Sequence, residues 1–362
     1  MRRRMRAMTV AACVGILASA PEAASPAAGL ADHGHWKRLR ALIEPRAAAN
    51  PNDGEAQWLL SRVRLAYHDA DGALAPAEKS VVLDGRNPEY RWQLAQVVGE
   101  LASSASVFKQ MGLAKRFKRE VEAVLAIDPK HTGAMVGLME FYYRAPGLVG
   151  GDKKKARAIP DQIMAINTID GYVARIRLMG RMEPQPPASE FEQVWVQAVQ
   201  ADSSRYEPHI SLASIYSSGA TPRWELAGKE ALIAKKLDPD RIAPYSILAA
   251  AYANTGKWAE LDALLAEGER AIPDNLTPYL RAAVTLTGTG NDLPRAERYV
   301  KKYLGQEPEP TASSHAVARW RLGLVYDKQG RKAEAIAELQ TAVTLDPKFE
   351  QAQKDLKRLK SS

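Results

Sequence analysis

The strongest constraint on the fold is a pattern that the chain repeats along its own length. Proline closes a helix-forming stretch at positions 239, 273, 308 and 347, at intervals of 34, 35 and 39 residues. A common skeleton lies in front of each. Ala316–Pro347 carries Leu322-Gly323-x-x-Tyr326, then Gly330, Ala335-x3-Leu339, Ala342 and Asp346-Pro347. Tyr206–Pro239 offers Leu212-Ala213-x-x-Tyr216, Ala227-x3-Ala231, Ala234 and Asp238-Pro239, and Ile242–Pro273 offers Leu248-Ala249-x-x-Tyr252 and Gly256. Leu276–Pro308 is a weaker copy, with Ala282-Ala283, Gly288, Gly290 and Ala296. Gly323, Ala249 and Ala213 carry no bulk, so a second helix is able to approach a first one closely, while the tyrosines fill the space one turn later. Proline after each second helix forces the chain into a connection. No such hairpin buries both of its faces, so several must stack. Period-two alternation is absent between turn signals, and strands are not expected.

This skeleton resembles the tetratricopeptide repeat, a helix–turn–helix unit of 34 residues. The resemblance implies an all-α fold, a right-handed α-solenoid of about eight stacked hairpins. It covers residues 203–347 as a regular array. Residues 32–202 read as a degenerate one, with Asn50-Pro51, Leu83-Asp84, Asp128-Pro129 and Ala201-Asp202 closing successive units. Residues 348–362 form a highly charged helix suited to capping the open end.

In such an array the first helices of successive repeats line an inner groove. The register places Ile210, Ser214, Asn254, Leu280, Val284, Trp320, Leu324 and Asp327 on that wall. Asn254 is then a hydrogen-bonding group and Trp320 an apolar anchor. The Lys, Arg and Asn set that clamps a terminal carboxylate is missing, so the expected partner is a protein or peptide with an apolar segment. The other reading of the same wall is that a neighbouring element or a second subunit fills it.

The first 27 residues read as a secretory leader: Arg2, Arg3, Arg4 and Arg6, the apolar run Ala7–Ala20, then small residues. A periplasmic or secreted protein is expected, with a mature N-terminus between Pro21 and Ala28. An uncleaved signal anchor and lipidation at Cys13 are the alternatives. No later stretch is apolar for long enough to span a bilayer. Without the leader's four arginines and Glu22, the net charge falls from +8 to +5. Spread over a long surface, that does not point to a nucleic-acid partner. Cys13 is the single cysteine, so a processed chain has neither disulfide nor thiol chemistry.

No catalytic, cofactor or metal site is predicted, and the chain does not read as an enzyme. Ala145–Lys153 is rich in glycine, but Asp152 stands where a phosphate loop needs its Lys-Ser/Thr pair, and caps the following helix instead. Its Pro146-x3-Gly150-Gly151 spacing resembles a loop of the repeat-containing proteins that accompany TRAP transporters. His33-x-His35 beside Asp32 offers at most a loose metal site, and two imidazoles so close to a frayed terminus are more often unoccupied. Two functions follow from this reading: a non-catalytic scaffold or adaptor of the cell envelope, or a periplasmic ligand or lipid carrier serving a transporter.

Overall fold

A computed structural model describes residues 25–361. Among these residues all regular structure is helical, with nineteen α-helices and one short 3₁₀ turn. Two helices, α1 (Pro26–His33) and α2 (Trp36–Ala49), precede the first hairpin. Hairpins then follow in order: α3 (Gly54–Ala66) with α4 (Ala70–Leu83), α5 (Pro88–Ser104) with α6 (Val107–Ile127), and α7 (Thr132–Arg144) with α8 (Lys153–Met164). Next come α9 (Thr168–Met179) with α10 (Ala188–Ala201), α11 (Tyr206–Tyr216) with α12 (Trp224–Leu237), and α13 (Ile242–Thr255) with α14 (Trp258–Ala271). The last are α15 (Thr277–Thr289) with α16 (Leu293–Leu304), α17 (His315–Lys328) with α18 (Lys332–Leu345), and the terminal α19 (Glu350–Ser361). No helix is long and apolar enough to cross a membrane among the described residues.

One turn joins many of the hairpins, and its chemistry explains the sequence pattern. Asn50, Asp84, Asp128, Asp202, Asp238 and Asp346 follow α2, α4, α6, α10, α12 and α18. The backbone N–H of each still donates to the carbonyl four residues before it, completing the helix. Each side chain then accepts the backbone N–H two residues on, at 2.9–3.3 Å. An Asx turn of this kind satisfies a donor that would otherwise need water. The same device therefore runs through the half of the chain where the repeat is hard to see in sequence.

Small residues set the distance between paired helices. A Cβ on Gly323 would stand 2.9 Å from Leu339 Cγ and 3.2 Å from the Ala335 carbonyl oxygen. Ala213, Ala227, Ala231, Ala249 and Ala335 are fully buried around equivalent contacts. Tyr216 and Tyr326 are buried, whereas Tyr252 is half-buried. The guanidinium groups of Arg223 and Arg331 stack 4.4 and 4.1 Å from the Tyr216 and Tyr326 ring centres. The core is divided accordingly: one cluster runs from Ile169 to Leu359, and separate ones serve α1–α3, α4–α6 and α7–α9. Each unit rests on its neighbours, as expected for a stacked array.

Two features break the regularity. Helix α15 packs chiefly on α13 and only marginally on α14. The small side chains Ser246, Ala250 and Ala253 permit this, and all three are buried. The second feature joins the N-terminal helices to loops far along the chain. The start of α2 lies against the loops after α12, α14 and α16, where Arg38 pairs with Asp274, Arg40 with Glu307 at 3.4 Å, and His33 with Asp238 at 3.4 Å. The Lys37 backbone N–H donates to Glu309 Oε2 at 3.2 Å. The stack is thereby closed along one edge by its own N-terminal helices.

Candidate partner-binding surface

The groove predicted from the register divides into a covered and an uncovered part. Ser214 is exposed, and Ile210, Asn254 and Val284 are half-buried, forming what remains of an accessible strip on α11, α13 and α15. Leu280 does not line the wall. It is 3% exposed and belongs to the main core, because α15 has settled directly onto α13. Trp320 is not an open anchor either. Its indole Nε1 donates to Asp355 at 2.9 Å, and its ring meets Phe349 edge-on with centres 5.3 Å apart. Asp327 accepts from Arg358 at 2.8 Å, and Leu324 on the same helix is half-buried. Helix α19 packs mainly on α18 and reaches across to Trp320 and Asp327 of α17, two of the positions that the register assigns to a partner. The open strip is shorter than expected and lies further toward the middle of the chain, with Ser217 half-buried and Ser218 exposed beside Ser214.

The closing contact of α2 was not visible in the sequence, and its electrostatics are unusual. Buried polar atoms without a hydrogen-bond partner number six among the described residues, and four of them gather here: His35 Nε2, Tyr67 Oη, Asp274 Oδ2 and Glu309 Oε1. Glu309 is 1% exposed. Burial, reinforced by the nearby Asp274 carboxylate, pushes its carboxyl up to about 7. Burial also lowers the pKa of His35, with Arg38 acting in the same direction. Both groups are therefore held toward their neutral forms, because the charged form loses its hydration without gaining a full partner. No local signal marks this region, since its partners are contributed by loops more than two hundred residues downstream.

The glycine-rich loop after α7 folds as its capping residue predicts. Gly147–Val149 form the 3₁₀ turn, Gly150 adopts φ +97°, and a Cβ on Gly151 would stand 1.7 Å from the Ala145 carbonyl oxygen. Asp152 accepts the backbone N–H groups of Lys154 and Lys155 at 3.0 Å each, opening α8. Gly150 and Gly151 are thus required by the loop's own backbone, whereas a Cβ on Gly147 would meet open space. His33 and His35 lie with ring centres 6.2 Å apart, and the His33 ring Nδ1 is 2.7 Å from the Gly29 carbonyl. No group of three or more metal-ligating side chains gathers among the described residues. The leader and Cys13 lie outside the described residues, except that Ser25 accepts the Ala28 N–H at 3.2 Å and Ala27 is buried.

Residues 316–358 match the family model of the tetratricopeptide repeat, a span that takes in α17, α18 and most of α19. No curated protein matches the sequence. Solved structures that resemble it include yeast Tom70, at 15% identity over 92% of this chain and 80% of that chain with a TM-score of 0.49. The human IFIT1 dimer with PPP-AAAA has 15% identity over 92% and 79%, with a TM-score of 0.47. A tetratricopeptide repeat protein from Parabacteroides merdae has 12% identity over 84% and 98%, with a TM-score of 0.41. The tetratricopeptide repeat is matched in sequence at the C-terminal end, and helical hairpins with the same turns and close-packed small residues extend back along the chain.

Proposed function

We propose that this chain is a non-catalytic scaffold of the cell envelope that holds a protein partner on the uncovered strip of α11, α13 and α15. The observation that carries the reading is the exposure contrast along the first helices: Ser214 on α11 and Ser218 just after it stand open, where Leu280, Ala250 and Ala253 are buried and Trp320 and Asp327 are engaged by α19. Small and weakly polar side chains with a half-buried Ile210 beside them favour an apolar segment of a partner over an acidic tail. The test places a photo-crosslinking residue at Ser214 and a bulky, charged Ser214→Arg in a second variant. The crosslinker should capture one protein reproducibly, and Ser214→Arg should weaken its binding about tenfold without altering the thermal melt. Equal binding by Ser214→Arg and the parent would sink the assignment of this strip. Detection of a tightly held small molecule in native mass spectra would instead support the carrier.

Envelope location rests on the leader. Ser25 caps α1 and Ala27 is buried, so processing after Ala27 would remove a capped, packed turn. A mature N-terminus between Pro21 and Ser25 keeps that turn. N-terminal sequencing of protein from the periplasmic or extracellular fraction checks this, and a chain starting at Met1 or at a lipidated Cys13 overturns it.

A further inference from the structure

We propose that the tip of the α5–α6 hairpin, together with the loop after α7, is a patch that seats the protein on an anionic lipid surface. The net charge of the chain is not spread evenly, as its sequence alone suggested. Of 50 Lys and Arg and 42 Asp and Glu, residues 107–119 and 144–157 hold ten and one, leaving 40 against 41 in all the rest. These two stretches meet in space. Helix α6 has 21 residues against 13 in α7, so its N-terminal half projects past its neighbour. Along that half, Phe108, Met111, Lys115 and Lys118 follow at spacings of three and four and share one face. Lys118 Cε lies 4.0 Å from where a Cβ on Gly150 would be, which brings the loop to the base of this face.

The apolar side chains at the patch have been left in water. Phe108 is 93% exposed, Met111 54% and Leu148 101%. Around them stand exposed Lys109, Lys115, Lys153 and Lys154. Lys118 is paired with Glu122 at 2.6 Å, and Lys155 has Asp152 at 3.9 Å. Apolar side chains on a projecting tip, ringed by lysines, suit the boundary between headgroups and acyl chains. The Phe108 ring, the Met111 thioether and the Leu148 side chain enter that boundary while the ammonium groups stay at the level of the phosphates. Anionic lipids concentrate such cations within a Debye length of the surface. A single-stranded nucleic acid fits less well, because it asks for a groove that tracks the backbone and aromatic platforms along it.

The test uses the full chain and two variants, Phe108→Ser/Met111→Ser/Leu148→Ser and Lys115→Glu/Lys153→Glu/Lys154→Glu. All six positions are exposed, so the circular-dichroism melts should match the parent. Co-sedimentation with phosphatidylglycerol–phosphatidylcholine vesicles should show binding that phosphatidylcholine alone does not. Each variant should lose about tenfold in affinity, and the parent should be released as salt rises from about 0.1 M to about 0.5 M. Binding that neither variant weakens belongs to the leader and overturns the proposal. So does absence of binding to the anionic vesicles, or an oligonucleotide that is held more tightly than the vesicles. Lipid-free self-association abolished by the serine variant makes the tip an interface between copies, which overturns it too.

Discussion

Glu309 and His35 show how far one environment shifts the chemistry of single residues, and the two act in opposite directions. With α2 docked, Glu309 keeps its proton up to about 7, against an ordinary 4.5. Between those values the docked state holds a proton that the released state gives up, so docking weakens as pH rises from about 4.5 and the loss is complete above about 7. His35 is lowered from 6.5, so the released state takes up its proton first and docking weakens as pH falls below 6.5. The groups that face the pair are His33, Lys37, Arg38, Tyr67, Asp240 and Asp274. The two effects offset each other over the range they share below 6.5, so hydrogen-exchange protection of α1 and α2 should fall as pH rises from about 6.5 through about 7. Glu309→Gln mimics the protonated side chain and should raise that protection at pH 8 about tenfold, or about 1.4 kcal/mol. An unchanged alkaline limb would remove Glu309 from the account. Gly323 makes a second residue-scale case, and one that was legible in sequence. Its missing side chain is required by Leu339 at 2.9 Å, so Gly323→Ala should cost about 1–3 kcal/mol through overpacking. Chemical denaturation checks this, and a neutral substitution would mean that Leu339 moves aside freely. Leu280 was misplaced because register fixes a helix face, whereas the neighbour that the face meets depends on how close two first helices come.

At the scale of elements, the hairpins were legible wherever a turn carried its own chemistry. The Asx turns at Asp128, Asp238 and Asp346 come with a proline next to them and are read directly from sequence. The turn at Asp84 performs the same function followed by Gly85, so that unit lacks the closing proline that marks those three. Helix α19 was foreseen as a cap, but not its second contact. It buries Ala352, Leu356 and Leu359 against the array and also holds Trp320 and Asp327. Deleting Lys348–Ser362 should therefore uncover apolar surface on α17 and α18, lower the melting temperature and promote aggregation. Trp320→Ala should do part of this, costing about 2 kcal/mol of local stability through lost packing on Phe349. Faster hydrogen exchange should be confined to α17–α19 and leave α3–α8 as they were. A truncated chain as soluble and heat-resistant as the parent would show that the end needs no cap.

Over the whole molecule, stacking alone describes a chain whose ends never meet, because each hairpin recognises only its neighbours. The closing contact adds a long-range term to that one-dimensional account. It joins Arg38 to Asp274 across 236 positions and Lys37 to Glu309 across 272, distances over which spacing and periodicity carry no signal. Its ion pairs are partly solvated, and such pairs contribute about 0.2–1 kcal/mol each. Its buried polar atoms are incompletely satisfied, which offsets part of that gain. The closure is accordingly weaker than the packing inside any hairpin, and it should open without unfolding the array. Reversing α2 with Arg38→Glu and Arg40→Glu puts like charges opposite Asp274 and Glu307. Protection of α1 and α2 should fall about tenfold, and the radius of gyration from solution scattering should rise, while exchange in α11–α18 stays unchanged. Adding Asp274→Arg and Glu307→Arg restores opposite charges, so protection should return toward the parent value, a rescue that general destabilisation does not give. Loss of protection throughout α11–α18 in the reversed variant would mean that the N-terminal helices are part of the fold's foundation and not a clasp laid along its edge.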